Sequence, residues 1–351
     1  MTLADLDEAQ LLAQVFPLLT TNSYVVEGPG DDCAVVAVPS GQFVVSTDIL
    51  VEDVHFKRQW SSAYEIGWRA AMQNLADIAA MGAQPITMTV GLGLPKTTAV
   101  AWVKEFFRGL SAACTHSETA IVGGDLSSAP TVFISVTVHG VMPAGIAPVL
   151  RSGAQAGDVV AHCGLLGWSQ AGFEDLMGSK DAHTKATELF KRPAAPVRSG
   201  VAAAQAGATA QMDVSDGLLL DAQRMARASN VHIELNVHDI VSHGDNLPVE
   251  YANDYSSELQ DETMLADKRQ QLQWKLTGGE DHGILATFPT DTVLPEGFVV
   301  IGAVRELNQT EHYAAKECAG EHEKRPRSDS AYVTVQGTDI GGLALGWDHF
   351  R

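Results

Sequence analysis

The feature that most restricts how this chain can fold is a series of carboxylates, each set where an apolar run meets a glycine or a small polar residue. They are Asp31 and Asp32 in GPGDDCAVV, Asp48 in FVVSTD, Asp77 in NLADIAAMG, Asp125 in IVGGD, and Asp213 and Asp216 in MDVSDGL, with Glu280 and Asp281 in LTGGEDHG. A carboxylate just past the end of a buried strand stands at a rim, where a hard cation can reach it with oxygen ligands. Several such rims facing one cleft would make a magnesium site. Asp77 is the most telling member, because Leu75, Ala76, Ile78, Ala79, Ala80 and Met81 around it are apolar. It therefore faces inward or into a cleft, where a carboxylate must be paired or metal-bound. Ser46 and Thr47 beside Asp48 add hydroxyl oxygens, though they fit a strand end equally well. Asp216 before Gly-Leu-Leu-Leu also fits a helix N-cap, and Asp31-Asp32 after Gly-Pro-Gly also fits plain turn chemistry.

The elements between these carboxylates mix strands and helices. With 351 residues the chain has room for two domains. Apolar residues at helical spacing run over 3–19, and Gly28-Pro29-Gly30 stops any regular element. Short strands are expected at 34–38 and 43–47, with Pro39-Ser40-Gly41 between them at hairpin spacing. A helix over 61–81, a strand at 86–92, a helix over 98–114, a short strand at 120–122 and a long one at 131–141 follow. This irregular order favours α+β over a doubly wound sheet. Glycines and prolines between Val141 and Asp158 place a boundary there, giving domains 1–142 and 143–351. The second part reads as a strand at 158–163, helices around 168–177, 197–208 and 217–229, and strands at 231–235, 283–288 and 298–304. The acidic stretch 245–262 reads as a solvated face, and 306–330 as a polar loop.

Lys and Arg number 23 against 43 Asp and Glu, a net charge of −20. Such a field repels phosphate backbones and anionic lipid, so neither nucleic acid nor a membrane surface is an expected partner, and ATP would need cations to bind. The four cysteines, Cys33, Cys114, Cys163 and Cys318, lie far apart with no C-x-x-C pair, and read as reduced thiols. MTLADLDEAQ lacks a basic n-region, and the uncharged stretch 129–150 holds Pro130, Pro143 and Pro148 and alternates like a strand. A cytoplasmic protein is expected. The G-x-x-x-x-G-K-[ST] loop, the G-x-G-x-x-G helix opening and the protein-kinase motifs are absent. Gly123-Gly124-Asp125 is a weak phosphate-approach candidate, since Gly-Gly lets backbone N–H groups near an anion.

Taken in order, GDDCAVV, STDILVEDVHF, NLADIAAMGAQP, GGD, RSGAQAGD, MDVSDGL, LTGGED and GWDHF resemble the thiamine-monophosphate kinases, of the aminoimidazole ribonucleotide synthetase superfamily. The resemblance runs from Gly30 to Phe350. It implies a two-domain fold of that superfamily, with an N-terminal domain that pairs its sheet in a homodimer and a C-terminal α/β domain. It also implies phosphorylation of thiamine monophosphate by ATP, which binds near the dimer interface, with several Mg²⁺ ions. By motif, Asp32, Asp77, Asp125 and Asp213 would carry catalysis. Asp32, Ser46, Thr47, Asp48, Asp77, Asp125, Asp213 and Asp216 would hold magnesium, with Asp31 close by. Gly124, Asp125, Arg151 and Ser215 would contact the nucleotide, and His55, Glu280 and Trp347 the thiamine. The family often has Gly at Asp53, and an aromatic and an acidic residue at His282 and Gly283.

The chemistry agrees. Moving a γ-phosphoryl onto an existing phosphate brings two anions together, so charge neutralisation and in-line positioning dominate, and no side-chain nucleophile is required. The acceptor is already largely ionised at neutral pH, which makes His55 unnecessary as a general base, and Trp347 could stack on a cationic thiazolium. Within the superfamily, selenophosphate synthetases usually carry a reactive Cys or selenocysteine near the amino terminus. Hydrogenase-maturation dehydratases carry a Cys near the carboxyl end. This chain has its first cysteine at Cys33 and ends DHFR. A non-enzymatic cation-binding module would show D-x-D-x-D-G spacing, which is absent.

Overall fold

The computed structural model describes residues 14–27, 35–38, 41, 43–179, 182–251, 254–255, 264, 266–307, 332–337 and 346. Asp31, Asp32, Cys33, Cys318 and Trp347, half of the acidic stretch 245–262 and nearly all of the loop expected at 306–330 lie outside the described residues. Strands β1 (Val25–Glu27) and β2 (Val35–Val36) form a small antiparallel pair. The hairpin expected between 34–38 and 43–47 is not formed. β3 (Val44–Val51) instead pairs along its whole length with β6 (Phe133–Val141), from Val44↔Gly140 to Val51↔Phe133. Partnering a strand of equal length satisfies more backbone groups than a two-residue neighbour can.

The first sheet runs β3-β6-β4-β5, where β4 is Gln84–Leu94 and β5 is Ala120–Ser128. β5 is longer than the expected 120–122, because the chain keeps pairing in parallel with β4 through Gly123 and Gly124. A Cβ on Gly124 would lie 1.9 Å from the Val90 carbonyl oxygen. Glycine here permits close strand approach rather than ending the strand. Helices α1 (Ala63–Ala80) and α2 (Val100–Ser117) cover one face. A Cβ on Gly67 or Gly109 would lie 2.0 or 1.9 Å from a carbonyl oxygen of the other helix, so the two axes approach closely at these glycines. α1 starts with a capping box: Glu65 N–H donates to Ser62 Oγ at 3.3 Å and Ser62 N–H to Glu65 Oε2 at 2.6 Å. On the sheet's other face Phe43, Val45 and Ile49 are 55, 56 and 46% exposed.

The second sheet runs β12-β9-β11-β7-β10-β8, antiparallel except for the β12/β9 pair. Its strands are β7 (Val159–Cys163), β8 (Ala210–Val214), β9 (Val231–Asn236), β10 (Gly283–Phe288), β11 (Val299–Glu306) and β12 (Val333–Gln336). The expected helices appear as α3 (Trp168–Gly178), α5 (Val197–Gln205) and α6 (Leu218–Ser229). Helices α4 (Lys185–Lys191), α7 (Val237–Val241) and α8 (Lys268–Thr277) have no counterpart in the sequence reading. Nor do strands β8 and β12. α8 is KRQQLQWKLT, polar on almost every side, whereas β8 is AQMDV, a five-residue alternation of Ala210, Met212 and Val214 with Gln211 and Asp213. α8 offers no sustained period, while β8 carries the strand alternation over only five residues.

α1 touches both halves. Gln211 Nε2 donates to Ala79 O at 2.8 Å and Trp68 Nε1 to Pro193 O at 2.9 Å. A Cβ on Gly200 of α5 would lie 2.2 Å from Ala79 O. One apolar cluster accordingly runs from Leu75, Val136 and Val138 through to Ala161, Trp168 and Phe288. Among the described residues no helix is long and apolar enough to cross a membrane, and Cys114 and Cys163 are buried free thiols.

Candidate active site

β3 alternates by strict pleat, so Ser46, Asp48 and Leu50 face α1 while Val45, Thr47 and Ile49 face away. Ser46 Oγ donates to Asp77 Oδ2 at 2.6 Å, and Gln73 Nε2 to Asp48 Oδ2 at 3.2 Å. The Asp48 N–H donates to Asn74 Oδ1 at 3.1 Å. Asp48 thus lies in mid-strand, not at a strand end. Arg69, Gln73 and Asp77 stand four residues apart on α1, one polar stripe on a helix that is otherwise buried. Sequence reasoning singled out Asp77 alone; that spacing within an apolar run was the signal for the other two.

The second sheet supplies the opposite wall. Asp213 on β8 pairs in register with Ile284 of β10, beside the turn 280–283. Arg69 Nη2 donates to Glu280 Oε2 at 2.6 Å. His282 lies between two carboxylates, Nδ1 at 3.7 Å from Asp213 Oδ2 and Nε2 at 3.8 Å from Glu280 Oε2, distances of ion pairs rather than hydrogen bonds.

Electrostatics follow from this crowding. Burial, reinforced by Asp213 and then Asp48, pushes the Asp77 carboxyl up to about 7. Burial also raises Asp48, against the Gln73 hydrogen bond. Desolvation acts to raise Glu280 too, but Arg69 and His282 more than offset it and hold that carboxyl well below the usual range. Burial disfavours a charged His282, yet Asp213 and Glu280 outweigh it and push the imidazole up to about 10. Asp213 Oδ2 and both His282 ring nitrogens are buried without a hydrogen-bond partner among the described residues.

The remaining expected residues are spread around this centre. Thr47 lies on the outer face of the first sheet, with Oγ1 2.8 Å from Thr137 Oγ1. Asp125 is exposed on β5, in the cross-strand row of Gly91, Ser135 and Ile49, which is that same outer face. Three strand spacings of about 4.8 Å separate β3 from β5, so within one chain Thr47 and Asp125 stand apart from each other and on the sheet face opposite Asp77. Asp216 is held by Arg224 Nη1 at 2.6 Å. It is not the cap of α6, whose N-cap is Gly217. Ser215 offers its carbonyl to the Glu280 N–H at 2.8 Å, and Arg151 is an exposed turn residue whose carbonyl accepts from Ser229 Oγ at 2.9 Å. His55 Nδ1 accepts from the Val51 N–H at 3.0 Å, which fixes its ring after β3. A Cβ on Gly346, next to Trp347 in sequence, would lie 2.2 Å from Asp216 O, so Gly346 itself packs against the MDVSDGL segment.

Two of the family departures can be placed in the structure. Asp53 has φ +66°, a left-handed conformation that glycine adopts without strain. A Cβ on Gly283 would lie 2.3 Å from His162 Nε2, so the His162 ring occupies the space a larger residue there would need.

The donors facing one another are carboxylate and hydroxyl oxygens, the set that suits a hard cation. Asp213 Oδ2, which accepts no hydrogen bond among the described residues, and the mutual repulsion of Asp48, Asp77 and Asp213 suit a bound cation. Among the described residues no three His, Cys, Asp or Glu side chains converge into a finished metal cage.

Comparison with known proteins narrows the class and then the family. Residues 30–142 match the family model described as AIR synthase related protein, N-terminal domain, which places the fold among the AIR synthase-like proteins. The thiamine-monophosphate kinase of Mycobacterium tuberculosis is 39% identical over 280 residues, covering 80% of this chain and 79% of that protein. The crystal structure of thiamine-monophosphate kinase from Stenotrophomonas maltophilia K279a superposes with TM-score 0.66 at 28% identity, covering 85% of this chain and 92% of that one. A structure described as AaThiL complexed with AMPPCP and TMP superposes with TM-score 0.67 at 28% identity, over 99% and 98% of the two chains. The chain belongs to the thiamine-monophosphate kinase family.

Proposed function

We infer that this chain transfers the γ-phosphoryl group of ATP to thiamine monophosphate, giving thiamine diphosphate. The observation that carries this reading is the facing set of Asp48, Asp77 and Asp213 beside the Arg69–Glu280 pair. Membership of a family named for that reaction supports it. Bound magnesium would supply the charge neutralisation that lets two phosphates meet. Asp48, Asp77 and Asp213, with Ser46, would hold it, and Asp31, Asp32 and Asp216 would complete the set. We assign Thr47, Asp125 and Gly124 with Arg151 and Ser215 to the nucleotide side, and His55, Glu280 and Trp347 to the thiamine side. Glu280, fixed as an anion by Arg69, offers a negative wall to a cationic acceptor ring. The carboxylates have no nucleophilic part, so transfer is direct and in line.

The open face that displays Phe43, Val45 and Ile49 supports a homodimer built by pairing this sheet with its copy. Thr47 and Asp125 would then lie at that interface. A boundary at 142/143 is supported by the end of the family match at residue 142. We place the protein in the cytoplasm, where ATP and reduced thiols are at hand. Incubation with ATP, Mg²⁺ and thiamine monophosphate tests the activity: thiamine diphosphate should form, with free thiamine a poor acceptor. No product, or equal use of thiamine, overturns the reading.

A further inference from the structure

We propose that Asp281 is a positioning residue, a buried carboxylate that locks the turn carrying Glu280 and His282 in a strained conformation aimed at the acceptor. This rests on the proposed function for what the turn faces, but not for how it is held. Glu280 and His282 have φ of +69° and +55°, two left-handed non-glycine residues within three positions. Such strain persists only where surrounding contacts over-determine it. Asp281, only 3% exposed, makes those contacts. Its Oδ1 accepts from the Ser169 N–H at 2.8 Å and its Oδ2 from the Gly167 N–H. α3 begins at Gly167, which has φ +79° and no side-chain cap of its own, so Asp281 caps this helix from another segment.

Ser169 closes the loop, its Oγ donating to Glu280 O at 2.9 Å. The Glu280 and His282 amides donate to Ser215 O at 2.8 Å and Val214 O at 3.1 Å. With Asp281 turned into α3, its two neighbours face the other way, Glu280 to Arg69 and His282 to Asp213. Asp281 thus belongs to the motif without belonging to the carboxylate cluster.

The test is Asp281→Asn in the full chain, an isosteric change that leaves one of the two N–H groups facing an amide NH₂. Steady-state kinetics and amide hydrogen exchange are measured together. We expect kcat/KM for thiamine monophosphate to fall at least tenfold, while the KM for ATP changes less than twofold. The Glu280 and His282 amides should exchange at least tenfold faster, with Leu285 and Ala286 of β10 unchanged. Kinetics and exchange within twofold of the parent protein overturn the proposal. So does a loss of protection spread evenly along β10, which would mark a merely structural role. Should Asp281→Asn not fold, Ser169→Ala removes the hydroxyl that bonds Glu280 O and reaches the Asp281 carboxylate and should shift the same amides by at least threefold; no shift there also overturns it. If the parent protein makes no thiamine diphosphate, the functional reading fails while the exchange data still decide the clamp.

Discussion

Asp77 stands where its charge is unfavourable unless a proton or a bound cation relieves it, so its replacement has opposite effects on activity and stability. Asp77→Asn should lower turnover on the order of 10- to 100-fold, as loss of one group of a metal shell does. In a chelator the same variant should melt at a higher temperature than the parent at pH 8. The folded value is raised to about 7 from an ordinary 3.8, so the folded state binds the proton more tightly than the unfolded one. Stability from this group is therefore full below about 4 and lost as pH rises through about 7. The advantage of Asn should accordingly shrink toward zero by pH 4; a constant difference across this range would sink the assignment. Asp53 offers a simpler case. Asp53→Gly relieves a φ of +66° and should stabilise by about 0.5–1 kcal/mol in thermal melts. The carboxylates of the site were legible because a charged residue is seldom set into an apolar run unless a partner or ligand awaits it. Arg69 and Gln73 were missed because, taken singly, each reads as an ordinary solvated helix position. Their four-residue spacing with Asp77 was the one signal, and the contacts of Arg69 with Glu280 across the cleft and of Gln73 with Asp48 on the adjoining strand give them a role.

Two elements meet most tightly where they have no side chains. Gly109→Ala would set a Cβ 1.9 Å from Tyr64 O, and should destabilise by about 1–3 kcal/mol through forced separation of α1 and α2. Denaturant midpoints measure this, and an unchanged midpoint would show that the helices can shift freely. The β7/β10 contact calls for a double-mutant cycle. Gly283→Ala should be costly in the parent, where His162 fills the space, and less costly in a His162→Ala background. A coupling energy of about 1 kcal/mol or more is expected for groups in direct contact, whereas simple additivity would refute the steric account. Long periodic elements such as α1, α2 and β6 were legible with boundaries a few residues off. β3's partner was not, because pairing is a long-range choice that a local turn signal cannot fix. α8 was not, because its stability comes from what it packs on rather than from its own pattern, and β8 was not, because an alternation of five residues is short.

For the whole molecule, the open sheet face gives a direct prediction. In sedimentation or light scattering the protein should have twice the mass of one chain. Ile49→Arg, which puts a charge on that face, should yield monomers without loss of secondary structure; a parent protein that is already monomeric ends the dimer proposal. The position of α1 has another consequence. One face of this helix rests on the first sheet, and its other flank on Pro193, Gly200 and Gln211 of the second half. The boundary proposed at 142/143 is therefore not a line along which the molecule can be cut. A fragment of residues 1–142 would expose Trp68 and Ala79 to water, and should precipitate or aggregate where the intact chain unfolds in a single calorimetric transition.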